Sequence, residues 1–176
     1  MSFFSCSKPT VRKPIIHNST TSHFEDLIKL NQELLKQEVK TITKIIQKDT
    51  VHNYITSPYG FWYYYNKKNV EKKIKPISGD EVVINYEIRN LENTILIAED
   101  ELGTDRQSNK KDRLLKIDRE DFILGLQEGI KLMQLGEEVT FLLPSNKAFG
   151  VTGLPNRIAP NEALIIKVKL KRILNK

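Results

Sequence analysis

Cysteine and histidine, the residues best suited to thiolate, metal or imidazole chemistry, are few in this sequence and poorly placed to cooperate. Cys6 is the single cysteine among 176 residues, so no intramolecular disulfide and no cysteine-built metal site can form. The three histidines, His17, His23 and His52, all lie in the first third of the chain. None stands at metal-ligand spacing from another His or Cys, so no metal centre is expected. The most informative stretch is AFGVTGLPNRIAPNEAL, residues 148–164. Gly150, Gly153, Pro155 and Pro160 punctuate it, and almost nothing in it can act as an acid, a base or a nucleophile. Glycine and proline set backbone shape. Such a loop builds a wall and does not attack.

The elements around that loop follow from hydrophobic periodicity. From residue 76 onward the pattern is mostly strands. EVVINYEIRNL alternates, placing Val82, Ile84, Tyr86 and Ile88 on one face. The charged stretch 99–113, EDELGTDRQSNKKDR, reads as a mobile surface loop, and LLKI after it as a short strand. DREDFILGLQEGIKLMQLG predicts a helix with Asp118 as cap, Asp121 in an acidic first turn and Gly136 beyond its end. Phe122, Ile123, Leu126, Ile130 and Met133 form its apolar face. EEVTFLLP is a strand, and ALIIKVKLKRIL alternates Leu164, Ile166, Val168 and Leu170 against Lys167, Lys169 and Lys171. The expected class is α+β, an antiparallel sheet folded over one short helix.

The N-terminal part has a different character. Residues 1–21 contain prolines and Ser/Thr without periodicity and read as a linker. Residues 22–50 form an amphipathic helix, with Phe24, Leu27, Ile28, Leu34, Leu35, Val39, Ile42, Ile45 and Ile46 recurring every three or four positions. Ser22 and Glu25 have the spacing of a capping box. This helix packs either on the following domain or on a partner, and periodicity does not choose between them. The domain proper spans 51–176 and opens with an aromatic strand, Phe61 to Tyr65, suited to a pleated surface covered on both faces.

The first 75 residues carry +7 and the remainder −1, which gives the net charge of +6. That distribution suits a solvated basic stem near an anionic membrane surface. No nucleic-acid motif accompanies it, so nucleic acid is not an expected partner. No apolar run approaches the roughly 18 residues of a membrane-spanning helix.

Three ordered blocks carry a family resemblance: GDEVVINY, DFILGLQEGIKLMQLGEEVTFLLP and AFGVTGLPNRIAPNEALIIKVKL. Together, over residues 76–174, they resemble the FK506-binding (FKBP) family of peptidyl-prolyl cis–trans isomerases. That family's strand opens with Gly-Asp and ends in Tyr, its helix holds Gly-hydrophobic-x-Glu-Gly and a Met, and its last loop reads Ala-Tyr-Gly. FFSCSKPTVRKPI, the helix and GFWYYYNKKN resemble more narrowly the gliding motility-associated isomerase lipoproteins of the Bacteroidetes. The resemblance implies lipid attachment at Cys6, preceded by the small residue Ser5. A lipoprotein anchored in the cell envelope is then expected. Only five residues precede Cys6, fewer than a signal peptide needs, so the leader is expected to be truncated or absent in this chain.

The implied activity is rotation about X–Pro bonds in polypeptides of the exported or envelope class, with a link to gliding motility. It needs no nucleophile, metal or cofactor, which accords with the inert loop. The resemblance assigns catalytic positions to Tyr86, Phe122, Ile123, Leu126, Phe149 and Ile158. Within these, Ile123 offers its backbone N–H to a substrate carbonyl. It assigns substrate contacts to Leu96, Ile97, Leu154 and Ile166. Five positions depart from the family pattern. Leu96 and Ile97 replace Phe-Asp, Leu126 replaces a Trp, Phe149 replaces a Tyr, and Ile166 replaces an aromatic. Arg157, like Leu154, occupies a variable loop position. These changes are expected to weaken macrolide binding more than isomerisation. The alternative is a binding module or chaperone on the same fold with little isomerase activity.

Overall fold

Among the described residues the chain forms two helices and seven strands, two of them, Ile55–Thr56 and Ile95–Ile97, not expected from periodicity. The computed structural model describes residues 19–71, 74–99, 101 and 112–174. Helix α1 (Ser19–Lys48) is followed by strands β1 (Ile55–Thr56), β2 (Trp62–Lys67), β3 (Glu81–Asn90), β4 (Ile95–Ile97) and β5 (Arg113–Lys116). Helix α2 (Leu124–Leu132), strand β6 (Glu138–Leu143), a 3-10 turn (Ser145–Lys147) and strand β7 (Leu164–Ile173) complete the order. The strands form one antiparallel sheet in the order β1-β2-β6-β7-β3-β4. Strand β5 joins β3 beside β4, pairing Arg113 with Ile84 while β4 pairs Ile97 with Ile88. The α+β architecture is thus the one expected, with a helix preceding it.

The chain divides between Gln32 and Glu33 into two compact units. In the first, the described residues are helical, and Phe24, Leu27, Ile28 and Leu30 are exposed. In the second, the main core lies between the sheet and α2. Val82, Ile84, Tyr86 and Ile88 of β3 meet Leu164, Ile166, Val168 and Leu170 of β7 there, together with Leu126, Ile130 and Met133. Gly125 and Gly129 allow α2 to approach this closely. A Cβ on Gly129 would lie 2.6 Å from a Phe141 ring carbon, and one on Gly125 would lie 2.6 Å from the Lys147 carbonyl.

A smaller core covers the other face of the sheet. Ile42, Ile45 and Ile46 of α1 pack there with Leu142, Trp62, Tyr64 and Ile165. Trp62 and Tyr64 therefore serve one face of β2 while Tyr63 and Tyr65 serve the other. For residues 33–48 of α1, the helix packs on its own domain. Glu38 fixes the contact, its carboxylate accepting bonds from the Ser145 N–H and hydroxyl, both at 2.7 Å.

Three boundaries differ from expectation. Helix α1 begins at Ser19, so Ser22 lies inside it and is not its cap. Helix α2 begins at Leu124, with Ile123 at its N-cap and no acidic residue in its first turn. Asp118 instead adopts φ 58° and binds Lys131 at 3.0 Å. Gln127 explains the later start: its Oε1 accepts the Asp118 N–H at 2.6 Å and its Nε2 donates to the Glu120 and Phe122 carbonyls. Those bonds hold 118–122 in a non-helical turn. The third difference is Arg113, which belongs to β5 and not to the charged loop. The remainder of that loop, residues 100 and 102–111, and the linker with Cys6 lie outside the described residues.

Candidate active site

The ten residues singled out for catalysis or substrate contact come from five separated segments, and all join one apolar cluster. Strand β3 supplies Tyr86 and β4 supplies Leu96 and Ile97. The turn into α2 supplies Phe122 and Ile123, and the helix supplies Leu126. Phe149, Leu154 and Ile158 come from the loop before β7, and Ile166 from β7 itself. Their burial is graded. Leu126 and Ile166 have no exposed surface and are fully enclosed in this cluster. Tyr86, Ile97, Ile123 and Ile158 are buried at its sides, whereas Leu96, Phe122, Phe149 and Leu154 are half-buried and present their surface outward.

The rings meet in a defined way. Tyr86 and Phe122 stand edge to face, with centroids 5.8 Å apart and planes at 72°, a favoured aromatic geometry. Beside them, Asp121, Phe122, Ile123, Ala148, Phe149, Thr152 and Gly153 enclose a cleft of about 290 Å³. The rim is held by a tight hairpin in which Leu154 and Ile158 exchange backbone hydrogen bonds, both 2.9 Å. Gly153 has φ 62°, and a Cβ there would fall 2.4 Å from the Ile158 carbonyl oxygen, so glycine is required. The Thr152 hydroxyl donates to the Phe149 carbonyl at 3.0 Å. The loop is thus shaped by backbone geometry, as its glycines and prolines suggest.

Polar groups are few. Burial pushes the Tyr86 phenol above its ordinary value, with the nearby Arg113 guanidinium pulling the other way. The phenol therefore stays protonated at neutral pH and keeps a proton to donate. At the N-cap of α2, Ile123 has φ −49° and ψ 110°, and no side chain caps the helix. The first N–H groups of a helix lack intrahelical partners, so a carbonyl can be received at this place. Arg113 lies over Phe122, its Cζ 4.1 Å from the ring centre.

Arg113 was not singled out from the sequence because it ends a run of charged residues. The signal that finds it is alternation: Arg113, Leu115 and Ile117 share a strand face, and the latter two are fully buried. Farther out, Arg157 pairs with Glu101 on the exposed rim.

A family model for the FKBP-type peptidyl-prolyl cis-trans isomerases matches residues 72–171. The chain belongs to the FKBP family. It is 32% identical to FK506-binding protein 1B of Aspergillus fumigatus over 103 residues, covering 57% of this chain and 84% of that protein. It is 33% identical to the peptidyl-prolyl cis-trans isomerase Mip of Coxiella burnetii over 101 residues, 57% of this chain and 40% of that protein. The chain spans 35% to 40% of the length of several of the curated relatives it matches. A crystal structure of a peptidyl-prolyl cis-trans isomerase from Pseudomonas syringae superposes with a TM-score of 0.62 at 17% identity, covering 81% of this chain and 95% of that one. At that identity the likeness concerns the FKBP fold alone.

Proposed function

We propose that this chain accelerates cis–trans isomerisation of X–Pro bonds in polypeptides. The observation that carries the reading is the apolar cluster in which Tyr86, Phe122, Ile123, Leu126, Ile158 and Ile166 meet, beside the cleft bounded by Phe122, Ile123 and Phe149. Amide rotation must cross about 18–20 kcal/mol. The twisted transition state loses resonance and much of the carbonyl's polarity, so a dry apolar surface favours it over the planar ground state. Each 1.4 kcal/mol of that preference is worth about tenfold in rate. In this reading the proline ring seats against Tyr86, Phe122 and Ile158, and the Ile123 N–H holds a substrate carbonyl. Leu96, Ile97, Leu154 and Phe149 contact the flanking chain. A peptide-isomerisation assay tests it: acceleration proportional to protein supports the reading, and exchange no faster than in buffer rejects it.

A second reading is supported by the same residues. Ile97 brings no carboxylate and Phe149 no hydroxyl, while Leu126 is fully enclosed. A binding module or chaperone with little turnover would keep the apolar surface and dispense with those polar groups. Retained peptide binding without acceleration distinguishes it.

For the cellular setting, we infer attachment to a membrane of the cell envelope through a lipid on Cys6, with proline-containing envelope polypeptides as substrates and gliding motility as the process served. Support comes from the SFFSC motif and the basic N-terminal part. In the native cell, the wild-type protein is expected in the membrane fraction and Cys6→Ser in the soluble fraction. Equal partition of the two contradicts the anchor.

A further inference from the structure

Arg113 lies against the Tyr86 and Phe122 rings, a charged side chain beside an apolar site. Its pairing with Ile84 and its shared face with Leu115 bring the side chain to the concave side of the sheet, next to Tyr86. There it stacks on Phe122 at 4.1 Å, a cation over an aromatic face. The side chain is 21% exposed, so solvent screens its charge only in part.

That charge is compensated only in part, by a hydrogen bond to the Tyr86 phenol and by one carboxylate. Glu120 Oε2 lies 3.7 Å from Arg113 Nη2, beyond hydrogen-bond reach. The other Glu120 oxygen accepts the Lys116 N–H at 2.8 Å, which ties the carboxylate to the strand. Among the described residues, Arg113 Nε is buried without a hydrogen-bond partner, a costly state for a guanidinium donor. Asp121 lines the cleft with Phe149 and Thr152.

We propose that Arg113 is a specificity-determining residue that selects polypeptides with an acidic side chain immediately before the isomerised proline. A guanidinium held flat on an aromatic ring has its orientation prepaid, and its fork matches a carboxylate. An apolar side chain before proline would gain no charge-assisted bond, and a lysine would meet repulsion. The inference rests on the isomerase reading above, and its test separates the two.

The full chain is assayed on three peptides that differ only in the residue before proline: Glu, Leu or Lys. For the wild type, kcat/KM for the Glu peptide is expected to exceed that for the Lys peptide about tenfold, as a charge-assisted bond would give. Raising salt should shrink that ratio. Arg113→Met should bring the ratio close to one, and Arg113→Glu should invert it. A wild-type ratio of one or below overturns the assignment. So does an unchanged ratio in Arg113→Glu, or parallel loss on all three peptides, which would mark Arg113 as mere support for Phe122. Should either variant fail to fold, the salt dependence of the wild-type ratio decides. Chemical-shift titration of the wild type with the same peptides separates the two readings. A Glu preference in binding without turnover sinks only the isomerase reading, and equal affinities for the Glu and Lys peptides sink only the role of Arg113.

Discussion

Phe149 brings a ring but no hydroxyl to the rim of the cleft, beside Phe122, Ile123 and Gly153. If the reaction depends chiefly on a dry surface, a hydroxyl at this position adds a bond to the substrate without changing the apolar walls. Phe149→Tyr is therefore expected to leave kcat/KM unchanged or raise it by up to about tenfold, the equivalent of one net hydrogen bond. The same peptide assay measures it, and a clear loss would mean that Phe149 does not face substrate. Tyr86 is the complementary case, a buried phenol that stays protonated. Of the site residues, those in period-two strands were legible in the sequence as core positions. Their convergence on one cluster was not, because it depends on five segments meeting across the sheet. Arg113 was hidden for a different reason: a cation closing a charged run looks solvated until the strand partner Ile84 is known.

At the scale of elements, the loop carrying Phe149 is clamped at its start. Glu38 of α1 holds Ser145, and Gly125 of α2 meets Lys147 in van der Waals contact that no side chain could share. The helix is thus tied to the segment leading into the pocket rim. The C-terminal end of α1 is fastened by a second device. The Asp49 carboxylate accepts the His52 Nδ1–H at 2.7 Å, the Tyr54 hydroxyl at 2.8 Å and the Val51 N–H at 2.9 Å. These bonds, that of His52 foremost, hold the Asp49 carboxyl below its ordinary value.

A carboxylate whose affinity for protons is lowered by folding stabilises the folded state above the ordinary carboxylate range near pH 4. That contribution disappears as pH falls below it. The gap in Tm between wild type and Asp49→Asn is expected to hold from pH 6 to about pH 4 and to narrow from there toward pH 2. A gap that stays constant would show that the carboxylate's charge does no stabilising there. Periodicity placed both helices but misjudged their starts. Asp118 and Asp121 look like a cap and an acidic first turn, yet Gln127 occupies the backbone groups of that segment and delays the helix to Leu124.

Over the whole molecule, each feature serves one task. The sheet packs its apolar face on α2, a hollow opens between Phe122, Ile123 and Phe149, the glycines at 125, 129 and 153 permit the close approaches around it, and the lysines of β7 alternate with its buried residues. Lys167 and Lys171 are paired with Glu138 and Asp112, at 2.8 and 2.6 Å. This alternation was legible residue by residue, as was the two-faced aromatic strand β2. The covering of that strand by α1 was not, because an amphipathic stripe fits a neighbouring sheet and a partner equally well. The central claim is that the hollow lowers the barrier to X–Pro rotation with no reactive group. The most direct test is NMR exchange on a Leu-Pro peptide with the full chain present. The predicted result is a cis–trans exchange rate that rises in proportion to protein concentration. Exchange at the buffer rate, with the chain folded by circular dichroism, would contradict it.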